Sequence, residues 1–131
     1  MRIAQSLLDA MVAHALADAP EECCGIVSSF NGEAVDLYPV ENVAYSPLRY
    51  EMDSTQQMRV MLAIDAAGQE VGIIYHSHPR SEPYPSQTDI KLASYPDAVY
   101  VIVGLASAAN PQVRAYTIRD QLVGEVDLTV V

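Results

Sequence analysis

Lysine is almost missing from this chain. Only Lys91 occurs, and lysine and arginine together number 7 against 17 aspartates and glutamates, for a formal net charge of -10. Nucleic acids and anionic membranes are gripped by basic patches, so neither is an expected partner. An acidic surface keeps a chain soluble; its sharper reading is adaptation to high salt. Cysteine is also scarce, with two, Cys23 and Cys24, side by side. A bridge between neighbours strains the peptide that joins them. A disulfide framework is therefore excluded, and both are expected as free thiols packed like small hydrophobes in a reducing compartment. No apolar run approaches the roughly 20 residues that cross a bilayer. The stretch ALADA loosely resembles a signal-peptidase site, but Gln5, Asp9 and His14 interrupt the apolar segment before it. That segment reads as an amphipathic helix, and the protein is expected in the cytoplasm. Low-complexity runs, linkers and internal repeats are absent as well.

Half of the 131 residues are hydrophobic, enough for one globular domain over residues 1–131 with a sizeable core. Ile3, Leu7, Leu8, Met11, Val12 and Ala15 keep helical spacing, which predicts a helix from about residue 3 to 18. His14 falls at the flank of its apolar face and reads as a structural or exposed histidine. CGIVSSFNGEAVDLYPV reads as a hairpin turning at Asn31-Gly32, with Pro39 marking the second strand as an edge or as ending there. ENVAYSPLRYEMD reads as a loop with a short extended piece at Arg49–Met52. Ser54 and Gln57 suggest a capping box before a second helix, Thr55 to Ala67, stopped by Gly68. EVGIIYHSH is a strand, and Ser86 is placed to cap a short helix, QTDIKLASY. AVYVIVGL reads as a strand buried on both faces, VRAYTIR as another, and LVGEVDLTVV as a last one. The order predicts a mixed α/β domain with helices packed on a curved sheet.

Two of the three histidines stand in YHSHPRSEPYPSQTD, residues 75–89. His76 and His78 lie two apart on a strand, so they share a face, with Cα atoms about 7 Å apart. Pro79 biases His78 towards an extended backbone. Pro83 and Pro85 stiffen the loop that returns the chain to Ser86, and Asp89 falls on the first turn of the next helix, where a carboxylate stays ionised. Two imidazoles and one carboxylate suit Zn²⁺ and leave a fourth position for water. The alternative is two hydrogen-bonded histidines, with Asp89 serving only a capping box. Glu21 and Glu22, at the start of the first hairpin strand, offer a general base if that strand neighbours the histidines; otherwise they are solvated charges.

Glu22-x-Cys24-Gly25, His76-x-His78-Pro79 and Ser86-x-x-Asp89 together resemble the JAMM signature of the JAB1/MPN/Mov34 metalloproteases. The ten residues between His78 and Asp89 match that motif's spacing. The likeness extends through MVAHALADAPEECCG, YSPLRYEMDS, GIIYHSHPRSEPYPSQTDIKLASYPDAVYVIV and VRAYTIRD, which are similar to small bacterial Mec⁺-type members that act on ubiquitin-like sulfur carriers. The resemblance implies a single JAB/MPN-like domain, a curved mixed sheet flanked by helices. It implies zinc held by His76, His78 and Asp89, with Glu22 moving the proton of the attacking water and Ser86 donating to the oxyanion. Ser86 then has two jobs, cap and oxyanion donor, that compete for one oxygen. Cys23, beside Glu22, departs from the pattern and reads as a packing residue or as a redox-sensitive thiol near zinc.

The implied function is a zinc peptidase or isopeptidase that cleaves after the C-terminal Gly-Gly of a ubiquitin-like sulfur-carrier protein, in cysteine or sulfur-cofactor biosynthesis. A catalytically silent MPN scaffold, a general ubiquitin-like deconjugating isopeptidase and a RadC-like nucleic-acid role are the alternatives. Retention of every motif residue counts against the first, the lack of room for ubiquitin-gripping insertions against the second, and the acidic charge against the third.

Overall fold

A computed structural model describes residues 1–131. Asn31 and Gly32 both take positive φ, 49° and 76°, the pair of angles a tight hairpin turn demands. Around them β2 (Cys24–Phe30) and β3 (Glu33–Val40) pair antiparallel, in an element order that begins with β1 (Arg2–Ile3) and α1 (Gln5–Asp18). After α2 (Ser54–Ala66) come β4 (Glu70–His78), α3 (Gln87–Leu92), β5 (Val99–Gly104), β6 (Gln112–Arg119), β7 (Leu122–Val126) and β8 (Thr129–Val130). The strands form one sheet in the order β7-β6-β5-β4-β2-β3-β1-β8. β4 pairs antiparallel with β2 and parallel with β5, so the histidine strand is central.

The sheet curls. β7 and β8 are its two ends, yet only Asp127 and Leu128 separate them in sequence. The three residue steps from Val126 to Thr129 reach at most about 11 Å, so the two ends of the sheet nearly meet. Each face carries its own core. Met11, Ala15, Cys23, Val27, Tyr75 and Val101 pack on the α1 side, and Cys24, Ile26, Val60, Ile64, Ile74 and Tyr100 on the α2 side. Consecutive β5 residues therefore alternate between two buried faces, which is why AVYVIVGL is apolar throughout.

Several expectations shift. The helix expected from Ile3 begins at Gln5, because Arg2 and Ile3 pair with Thr129 and Val130 as β1. β3 is not an outer strand, but β1 pairs with it only at Glu33, so Pro39 lies where no second neighbour needs an N–H. Asp53, not Ser54, caps α2: its carboxylate accepts from Gln56 N at 2.9 Å, and no Ser54–Gln57 box forms. Of the extended piece at 49–52, only Met52 pairs, in an isolated bridge to Asn42. α3 stops at Leu92 because the N–H groups of Ser94 and Tyr95 donate to Tyr100 Oη, at 3.1 and 2.9 Å, instead of continuing the helix. The tail divides into β7 and β8.

The glycine after the cysteines has a steric reason. Gly25 faces Tyr75 across β2 and β4, and a Cβ there would stand 2.4 Å from the tyrosine ring. The ring occupies that space and its hydroxyl reaches His14 Nδ1 at 2.8 Å, while His14 Nε2 meets Asp18 at 3.2 Å. His14 thus ties α1 to β4.

Candidate active site

His76 and His78 sit at the C-terminal end of β4, both buried and both on the α2 face. The chain beyond them is pinned. Leu105 N donates to His78 O at 2.9 Å, Tyr116 Oη donates to Pro83 O, and Pro83 packs so close to Gly104 that a Cβ would lie 2.6 Å from its Cδ. The loop delivers Ser86 as the cap of α3. Its hydroxyl accepts from Asp89 N at 3.0 Å, and its own N–H donates to Asp89 Oδ2 at 2.9 Å, which turns that oxygen towards the histidines.

Three atoms converge there. His76 Nε2 and His78 Nε2 are 3.3 Å apart, and Asp89 Oδ2 lies 3.1 and 3.0 Å from them. A tetrahedral ion with bonds of 2.0–2.1 Å places its ligand atoms roughly 3.3 Å from one another, close to this triangle. His78 Nδ1 donates to Glu82 O at 2.9 Å; a carbonyl only accepts, so the proton belongs on Nδ1 and the Nε2 lone pair points inward. His76 Nδ1 is buried without a partner. Burial holds the pKa of His76 below its usual value, against the pull of Asp89. Burial also opposes charge on His78, but the Asp89 hydrogen bond and the Glu82 carbonyl outweigh it and raise its pKa. For Asp89 burial is again outweighed, here by hydrogen bonds from both imidazoles, and its carboxyl is held well below the usual range. A neutral His76 beside an ionised Asp89 is a donor set that fits a divalent cation such as zinc.

Glu22 stands just before β2 and is only 3% exposed, yet its Oε1 has no hydrogen-bond partner. Burial, then the Asp89 charge, push its pKa up to about 8, while His78 pulls it down. Glu21 is half-buried and, like Glu22, lines an adjoining acidic groove. Cys23 points into the α1-side core, away from the histidines, and Cys24 Sγ donates to Val40 O at 3.4 Å. Both thiols are free and buried, and burial raises each pKa to about 12.

Two further residues at the site carry no motif that would single them out. Tyr50 covers His76, ring centroids 4.7 Å apart. Asn42 is buried and uses every bonding position of its amide: Nδ2 donates to Glu22 O and Arg49 O, and Oδ1 accepts from Ala44 N and Glu51 N. It clamps the loop that carries Tyr50 onto the segment that carries Glu22. YSPLRY stands inside the family-like stretch, but periodicity is blind to a contact of this kind.

A curled mixed sheet flanked by three helices is the fold of JAB1/MPN domains. The crystal structure of AF2198, a JAB1/MPN domain protein from Archaeoglobus fulgidus, shares this fold with a TM-score of 0.71 at 23% identity, over 100% of this chain and 99% of that one. The family described as prokaryotic homologs of the JAB domain matches residues 4–119, and the chain belongs to that family. It is 40% identical to the CysO-cysteine peptidase of Mycobacterium tuberculosis, over 98% of this chain and 90% of that protein. It is 36% identical to the desampylase of Haloferax volcanii, over 78% of each.

Proposed function

We propose that the protein is a zinc-dependent peptidase of the cytoplasm, hydrolysing the bond just after the C-terminal Gly-Gly of a ubiquitin-like sulfur-carrier protein, in cysteine or sulfur-cofactor biosynthesis. The observation that carries it is the triangle of His76 Nε2, His78 Nε2 and Asp89 Oδ2 beside a buried, unpaired Glu22 carboxyl. His76, His78 and Asp89 would hold the ion. Zinc in such a site polarises a carbonyl and lowers the pKa of a water to about 7. Glu22, a buried carboxyl with no hydrogen-bond partner of its own, would be the group that accepts the proton of the attacking water and returns it to the departing amine. Ser86 Oγ spends a lone pair on Asp89 N, but its O–H hydrogen stays available to donate to a developing oxyanion. Cap and oxyanion donor are thus compatible, because one uses the hydroxyl as acceptor and the other as donor.

The relative named a CysO-cysteine peptidase supports the carrier reading. The relative named a desampylase favours a second reading, an isopeptidase that frees ubiquitin-like proteins from conjugates. Metal analysis of purified protein tests the site beneath both. One zinc per chain is expected, and His78→Ala should lose it; stoichiometric zinc in that variant would mean a different ligand set.

A further inference from the structure

The two histidines of the triangle are held in different ways. His78 turns Nε2 inward because its Nδ1–H donates to Glu82 O at 2.9 Å. His76 offers Nε2 to the same triangle, which leaves its proton for Nδ1, yet Nδ1 is buried with no partner. The cross-strand neighbours of His76, Cys24 on β2 and Ile102 on β5, are buried and offer neither a carboxylate nor an amide. A metal-binding histidine almost always gives its second ring N–H to a carboxylate, a carbonyl or a water, and that bond fixes the ring. His76 has no such restraint.

Tyr50 lies over its ring instead, with centroids 4.7 Å apart and planes 30° from parallel. Aromatic pairs attract at this separation. The backbone of Tyr50 is pinned on both sides by one side chain: Asn42 Nδ2 donates to Arg49 O at 3.2 Å, and Glu51 N donates to Asn42 Oδ1 at 3.0 Å. Val43 N adds a bond to Glu51 O at 2.9 Å, and the tyrosine packs against the α2-side core.

We infer that Tyr50 is a positioning residue for the metal centre: its ring, held against His76 by the Asn42 clamp, fixes that imidazole in place of the missing Nδ1 hydrogen bond. The inference rests on the zinc reading of the site and concerns how firmly the ion is held. An imidazole that gives its lone pair to a cation becomes electron-poor, and the electron-rich face of a phenol ring then attracts it more strongly. The stack therefore favours the metal-bound form, and the flat ring matters rather than the hydroxyl.

Zinc affinity, measured on the intact protein by competition with a chromophoric chelator, tests this without turnover. Tyr50→Leu and Tyr50→Met fill the space without a flat face, and each is expected to bind zinc about tenfold more weakly than the wild type. Tyr50→Phe should bind like the wild type. So should Tyr95→Leu, which alters a tyrosine packed against the same core but bonded to Gln57. Urea midpoints of the zinc-free variants show any folding loss separately. Wild-type affinity in Tyr50→Leu or Tyr50→Met would overturn the inference, and so would an equal loss in Tyr50→Phe or Tyr95→Leu. If His78→Ala loses zinc while Tyr50→Leu binds it unchanged, the inference fails alone; if the wild type binds no zinc, the zinc reading fails and takes the inference with it.

Discussion

Glu22 is the residue on which the proposed chemistry turns. It is buried, unpaired and close enough to Asp89 and His78 to feel their charges, whereas Glu21, its neighbour, is only half-buried. Glu22→Gln is expected to keep zinc and lose turnover by about 10²-fold or more, because the amide cannot carry the proton. Glu21→Gln should change steady-state rates little; the opposite pattern would shift the base by one residue. The proposed ligand set is legible in the sequence because His76, His78 and Asp89 fall within one short stretch whose strand, prolines and helix cap dictate where they point. Asn42 and Tyr50 are not, since each acts through partners brought to it by the fold: Glu22 lies 20 residues from Asn42, and His76 26 from Tyr50. For Cys23 the sequence allows either packing or a place near zinc, and the alternation of side chains entering β2 sends it to the α1 side.

At the scale of elements, the hairpin, the central strand and the long helices announce themselves through turn chemistry and periodicity. The two-residue strands β1 and β8 do not, because a pair of residues carries no period. The early end of α3 is hidden for another reason: it is imposed by Tyr100, a residue of the next strand. The register of β2 on β4 sets the site, since it places Cys24 opposite His76 and so brings Glu22 to the strand end. Gly25 guards that register. Gly25→Ala should force the Tyr75 ring aside and strain its bond to His14, at a cost of about 1–3 kcal/mol. Urea denaturation should show the lowered midpoint, and an unchanged midpoint would mean that the ring has room to yield.

Over the whole molecule, the curled sheet separates two cores, and most acidic residues lie outside them, Glu22 and Asp89 excepted. A net charge of -10 with a single lysine makes self-repulsion a destabilising term that added salt screens. Thermal melts are expected to rise substantially from low to molar KCl; a flat response would make the acidity ordinary surface composition. The central claim, hydrolysis after a carrier's Gly-Gly, is tested most directly by mass spectrometry of the source organism's own ubiquitin-like carriers, each extended beyond Gly-Gly, after incubation with the zinc-loaded protein. The account predicts loss of the extension, ending at Gly-Gly, abolished by a chelator and by Glu22→Gln. Carriers left intact while a ubiquitin isopeptide substrate is cleaved well would contradict it.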